Sequence, residues 1–384
     1  MPPSTRLCSS RRWKCSPAAI PALRFGIRPC AGVAEAGARV SPQALEAVDL
    51  SHCSGLSCRT FVRSLVFHPG ACPELRACAP CEPAMRVDDF VYHRPDSVAQ
   101  AVALLKQLGQ GAHFIAGGTD LLPDLKRGRE SARHLVALGG LEDLRGVHRQ
   151  DDGSLRIGAL CTLAEVATSP LVREAFPALA EATGMLGAAQ IRNQGTLGGN
   201  FCRAVPCADT PPICLAADAR VLLTDGQRER SVPAREFFVG PRETCRRSEE
   251  VMTALVVAPQ PEGSGACYQR FTLRGGLALA VASVAARVVL AAGRLEHVDV
   301  VLGAVAPVPL PVEACSRLLV GKALDEELLE QAGQAAAEAA QPITDIRGSV
   351  EYRREIVAVL TRRALSEAVA RAEGRGRYRW EGLR

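Results

Sequence analysis

Two short stretches of this chain set glycines beside hydroxyls, an amide and carboxylates, the groups that grip a phosphate-bearing ligand. The first is Ala116, Gly117, Gly118, Thr119, Asp120 and Leu121. The second, about 75 residues on, is Thr196, Leu197, Gly198, Gly199 and Asn200, with Asp209 a few residues beyond. Glycine opens backbone conformations closed to other residues and lets main-chain N–H groups approach a ligand. Hydroxyls and an amide can donate to a pyrophosphate, and a carboxylate can accept from sugar-chain hydroxyls. Two such loops suit a ligand with a pyrophosphate between two bulky ends. A Gly-Gly pair alone is commonly a turn, so the polar neighbours and the pairing carry the reading.

The elements around the loops must hold them in place. An apolar strand-like segment, His113 to Ala116, runs into the first loop and a helix-like segment leaves it, which puts the glycines at a helix N-terminus where an anion is favoured. Upstream, Ser97 and Gln100 form a capping-box pattern for a helix reaching Leu108, with Gly109 placed to end it. Asp152-Gly153 between two apolar runs predicts a hairpin. Thr162 with Glu165 and Ser169 with Pro170 predict two further helix starts. A helix-like run from Leu179 to Leu186 leads to the second loop. No Gly-x-x-x-x-Gly-Lys-Ser/Thr occurs, and no Gly-x-Gly-x-x-Gly opens a helix after a strand, which argues against P-loop and Rossmann sites.

The paired loops, with Asp209 at its offset, resemble the FAD loops of the flavoprotein (medium) subunits of molybdenum hydroxylases, the carbon monoxide dehydrogenase, xanthine dehydrogenase and 4-hydroxybenzoyl-CoA reductase type. The resemblance runs from about Met85 to about Glu373. It implies an α+β architecture: a two-lobed p-cresol methylhydroxylase-type FAD-binding domain over 85–260, then a small α+β domain of antiparallel sheet plus helices over 266–374. It implies non-covalent FAD, with residues 116–121 and 196–200 around the pyrophosphate and Asp209 on ribityl or ribose hydroxyls. Arg270 falls where some members place a basic residue near the flavin. The stretch Arg274 to Ala278 lacks the Asp that members often carry there. The implied activity is that of an oxidoreductase subunit passing electrons from iron–sulfur clusters through FAD to NAD, a quinone or another acceptor. The 2Fe-2S clusters and molybdopterin are then expected on partner chains, an iron–sulfur subunit and a molybdopterin-binding subunit, and no residue here need act as a catalytic acid or base.

The second domain is legible as a pattern. Residues 259–265 hold two prolines and two glycines and read as a linker. Leu279 to Leu290 and Leu295 to Val305 read as paired strands around Gly293, and Asp325 and Ser349 open two helices. On its own terms this domain is a packing or docking module. The cluster Arg353, Arg354, Arg362 and Arg363 lies at helical spacing and reads as a solvated or subunit-facing stripe.

Composition excludes several classes. Aromatic residues are 4% of the chain, too few for a base-stacking surface. Residues 1–84 hold ten Lys/Arg and five Asp/Glu, while residues 85–384 hold 36 of each, so the basic balance belongs to the N-terminal segment and nucleic acid is not an expected partner. That segment reads as a disordered extension or a start-site artefact, with a targeting-like composition in residues 1–34. A metal site at Cys72, Cys78 and Cys81 lacks a fourth ligand. Its removal is expected to leave flavin binding intact. No membrane span is expected, since the apolar run from Leu277 to Ala292 is interrupted by Arg287.

The seven cysteines after residue 84 are scattered, which suits a reduced, cytoplasmic protein. Cys202, Cys207 and Cys214 near the second loop are too few for a cluster and read as structural. The histidines show no metal-ligand spacing, so no metal site is expected. Two rival functions stand beside the resemblance. A stand-alone flavin oxidase could carry its flavin covalently, but neither loop holds a histidine. A scaffold that has lost FAD conflicts with two intact loops.

Overall fold

The computed structural model describes residues 88–378; the expectations for residues 1–84 lie outside the described residues. The chain begins with β1 (Val91–His93), α1 (Val98–Leu108), β2 (Ala112–Ile115), α2 (Leu121–Lys126) and β3 (His134–Ala137). These strands form a parallel sheet in the order β1-β3-β2. Ser97 caps α1, its hydroxyl accepting from the Gln100 N–H, and Gly109 ends the helix at φ 63°. Residues 98, 101, 102 and 105 share one face of α1. Ala101 and Val102 bury that face against Val136, Leu138, Leu160 and Val251, joining this lobe to the next.

The second lobe is an antiparallel sheet of β4 (Val147–Arg149), β5 (Leu155–Gly158), β6 (Arg220–Thr224), β7 (Glu229–Pro233) and β10 (Val251–Val257), ordered β4-β5-β10-β6-β7. The hairpin expected at Asp152-Gly153 pairs Val147 with Ile157. Six short helices lie between β5 and β6: α3 (Leu163–Thr168), α4 (Pro170–Ala175), α5 (Pro177–Met185), α6 (Ala189–Arg192), α7 (Leu197–Arg203) and α8 (Thr210–Ala216). Thr162 and Glu165 make the reciprocal capping box at α3, and Ser169 caps α4 with Pro170 in its first turn. Phe176, Leu179, Phe201, Ile213 and Phe237 fill the core beneath the sheet. A turn helix, α9 (Ala234–Phe237), and a small ribbon, β8 (Phe238–Gly240) with β9 (Glu243–Thr244), lead into β10.

Beyond the linker, β11 (Ser264–Phe271), β12 (Ala282–Ala291), β13 (Arg294–Gly303) and β14 (Leu310–Pro311) form one antiparallel sheet in chain order. Helices α10 (Glu313–Leu319), α11 (Glu326–Ala339) and α12 (Val350–Ala372) follow. Strand side chains alternate between faces. Val284, Ala286 and Val288 meet Leu360, Ala364 and Ala368 of α12, while Ala285 with Ala266 and Tyr268 of β11 joins the core of the first domain. The sheet is thus buried on both sides, which explains why its strands read as near-continuous apolar runs.

The basic stripe expected on α12 needs correction at Arg353. That residue is 1% exposed, donates to the Ile343 carbonyl at 2.9 Å and lies 3.5 Å from the Asp345 carboxylate. Helical spacing lists charges on one side of a helix, but only packing shows that a neighbouring loop covers one of them. No helix among the described residues is long and apolar enough to cross a membrane.

Candidate functional site

A cavity of about 1000 Å³ opens between the lobes, and both glycine loops line it. Its wall also includes Leu105 and Lys106 of α1, Gly187, Ile191, Arg203, Arg246 and Ser248 to Glu250 ahead of β10, Val251 and Met252 of β10, and Leu277 to Leu279 from the second domain. Asp209 is on the wall; Arg270 is not.

The two loops do different work. In the first, the N–H groups of Gly117, Gly118, Thr119 and Asp120 donate to no acceptor among the described residues. Gly118 holds φ 68°, a conformation that strains any residue with a Cβ. A row of unpaired amides ahead of a helix favours an anion. In the second loop, by contrast, the amides are already used. Leu197 N–H donates to Cys161, Gly198 N–H to Ala159, and Asn200 N–H to the Thr196 carbonyl, while Gly199 N–H is capped by the Thr196 hydroxyl at 3.0 Å. This loop therefore offers side chains: the Thr196 hydroxyl proton and the amide of Asn200. The Asn200 oxygen accepts from Thr210 at 2.6 Å, which leaves the NH₂ end for a ligand.

The glycines themselves serve approach between backbones as much as approach to a ligand. A Cβ on Gly117 would collide with the Gln194 carbonyl oxygen, so the first loop rests directly on the second. A Cβ on Gly198 would meet the Ala159 Cβ and carbonyl oxygen at 2.7 and 2.8 Å. An ion pair completes the junction: Arg203, at the end of α7, bonds the buried Asp124 of α2, with Arg242 3.7 Å from the same carboxylate. Both helices that leave the glycine loops are tied together beyond them. Sequence spacing shows neither Gln194 nor this ion pair, because each contact crosses more than 70 residues.

Asp209 is 5% exposed and precedes α8. Its carboxylate accepts from the Tyr268 hydroxyl at 2.7 Å and from Arg270 at 2.9 Å. Arg270 also donates to the Met185 carbonyl at the end of α5. Burial pushes the Asp209 carboxyl above its usual range, and the Arg270 guanidinium and the two hydrogen bonds oppose that shift. Arg270 thus backs Asp209 from behind the wall. Tyr268, which sequence reasoning did not single out, is fully buried between the domains. The only available signal was its period-two relation to Arg270 on one strand.

Among the remaining candidates, Cys202 and Cys207 line the cavity, and burial raises both thiols. Cys214 is fully buried. Asp218, His297 and Asp299 bring ligand atoms within 4.8 Å of one another. However, Arg235 bonds both carboxylates, at 3.0 and 2.6 Å, and Arg287 bonds Asp299 at 3.2 Å, so the charge a cation would need is already neutralised.

The donor set fits a pyrophosphate: four unpaired amides, hydroxyls and a carboxamide, with apolar side chains elsewhere in the lining and a carboxylate for hydroxyl groups. The comparisons with known proteins agree. A family described as FAD binding domain in molybdopterin dehydrogenase matches residues 86–261. One described as CO dehydrogenase flavoprotein C-terminal domain matches residues 266–368. The carbon monoxide dehydrogenase medium chain of Hydrogenophaga pseudoflava is 34% identical over 282 residues, which are 73% of this chain and 98% of that one. The putative xanthine dehydrogenase FAD-binding subunit of Escherichia coli (strain K12) is 31% identical over 289 residues, 75% of this chain and 99% of that one. A solved structure of carbon monoxide dehydrogenase from Hydrogenophaga pseudoflava superposes with a TM-score of 0.72, covering 74% of this chain and 99% of that one. With two domains matched in order and the loops facing one cavity, this chain belongs to the FAD-binding subunits of the molybdenum hydroxylase family.

Proposed function

We propose that the chain is the electron-transfer subunit of a molybdenum hydroxylase complex, taking electrons from an iron–sulfur subunit and passing them through FAD to NAD, a quinone or another acceptor. A molybdopterin-binding partner then carries the substrate chemistry. The observation that carries this reading is the row of unpaired amides at residues 117–120 facing a cavity large enough for a dinucleotide. When bound, FAD supplies the redox chemistry.

The chain's own residues bind and orient. The N–H groups of Gly117 to Asp120 and the hydroxyl of Thr119 meet the pyrophosphate. Thr196 and Asn200 approach it from the second loop, with Leu197, Gly198 and Gly199 setting the turn, and Leu121 anchors the first. Asp209 accepts from sugar-chain hydroxyls. The exposed apolar residues Leu277 and Leu279 line the cavity from the second domain. The FAD-binding domain is assigned to 85–260 and the second domain to 266–374, with a cytoplasmic location supported by the scattered cysteines.

The test is the absorbance spectrum of the purified chain before and after acid precipitation. Flavin bands that pass into the supernatant are expected. Bands that stay in the pellet would support a covalent oxidase, and a folded protein that takes up no added FAD would support a scaffold.

A further inference from the structure

We propose that Tyr268 is a positioning residue of the cofactor site, and that the second domain completes this site through it. The inference rests on the reading of Asp209 as the acceptor for FAD hydroxyls. Asp209 comes from the first domain and faces the cavity. Both of its carboxylate oxygens are held from the second domain, Oδ1 by the Tyr268 hydroxyl at 2.7 Å and Oδ2 by Arg270 at 2.9 Å. Tyr268 and Arg270 are two apart on β11, so strand alternation sends both side chains to the face that meets the first domain.

The arrangement is more than packing. A phenol ring alone would fill the same space, but only its hydroxyl fixes one carboxylate oxygen and so the plane of the group. A carboxylate with two anchored oxygens keeps its remaining lone pairs at defined angles toward the cavity. Without the Tyr268 hydroxyl, the carboxylate keeps Arg270 but can turn about that one contact. Ligand hydroxyls would then meet it in several orientations, and affinity would fall. Tyr268 touches no ligand in this scheme; it acts through Asp209.

The experiment uses the full chain stripped of flavin and titrated with FAD, following quenching of flavin fluorescence, for wild type, Tyr268→Phe, Asp209→Asn and the double variant. Thermal unfolding of each stripped protein is measured alongside. Tyr268→Phe is expected to weaken FAD binding about tenfold, the size of one hydrogen bond to a charged group. Asp209→Asn should weaken it at least as much, and the double variant should be no weaker than Asp209→Asn alone. FAD affinity unchanged in Tyr268→Phe would overturn the proposal. So would losses that simply add in the double variant, since Tyr268 would then act without Asp209. An affinity loss in Tyr268→Phe that is matched by a collapse of its unfolding temperature, and restored at lower temperature, would also overturn it in favour of a structural role. Wild-type chain that takes up no FAD would instead overturn the functional reading, and this inference with it.

Discussion

At the scale of single residues, the glycines separate into those that a neighbour forbids from carrying a side chain and those that nothing restrains. Gly117→Ala is expected to destabilise the chain by about 2–3 kcal/mol, a typical overpacking penalty, and to strip flavin, because its Cβ would push the first loop off the Gln194 carbonyl. Gly118→Val should also lose flavin, through strain at φ 68°. Gly275→Ala, with nothing within 4 Å of its Cβ, should leave both stability and flavin content unchanged. Flavin absorbance per protein and thermal unfolding report both effects.

Glu250 offers a test by acid. Arg230 bonds its two oxygens at 2.7 and 2.8 Å, and the Arg247 N–H donates to it at 2.8 Å. The bonds from Arg230 hold its carboxyl below the usual value of 4.5. A carboxyl depressed in the folded state lends stability that is fully present above its unfolded value and fades as pH falls through the folded one. Unfolding temperature should therefore drop as the solution is taken below about pH 4.5. Glu250→Gln should cost about 1–3 kcal/mol at neutral pH and flatten that acid slope.

At the scale of elements, the end of α12 is the clasp between the domains. Arg371 donates to Glu181 of α5 at 2.7 Å and to the Ala266 carbonyl of β11 at 2.8 Å, with both charged side chains nearly fully buried. Arg371→Leu removes the charged hydrogen bonds to Glu181 and to the Ala266 carbonyl, and calorimetry should show a loss of about 1.5–3 kcal/mol. The elements themselves were largely legible: the caps at Ser97, Thr162, Ser169, Asp325 and Ser349 all start helices where their side chains accept from the first turn. Local hydrogen bonding decides such starts, so local sequence reveals them. The short helices α6 and α7 went unread, because Ala189–Arg192 and Leu197–Arg203 have too few turns to show an apolar period.

At the scale of the whole molecule, the basic charge and the flavin site lie on different parts of the chain. Residues 1–84 carry the excess of ten basic over five acidic residues, and the family match starts at residue 86. A chain beginning at Met85 is expected to retain the flavin content of the full-length chain. A soluble but flavin-free product would overturn that expectation. The second domain reaches the cavity through Leu277 to Leu279 and, by the hydrogen bond of Tyr268 to Asp209, holds a residue of its wall.

The sequence by itself determined the two loops, the kind of ligand they suit, the order of the domains and most helix starts. Those features depend on residues within a few positions of one another, where dihedral preference, capping and side-chain alternation act. Only the tertiary structure decided which loop offers free amides, what Gly117 leans on, and who holds Asp209. Two of the second loop's amides, those of Leu197 and Gly198, are taken by Cys161 and Ala159, the first loop rests on Gln194, and Asp209 is gripped by Tyr268 and Arg270 some 60 residues away. Each of these is a contact between segments distant in the chain. Residue type can suggest that a carboxylate or an amide has work to do, but its partner is chosen by the packing of one surface on another.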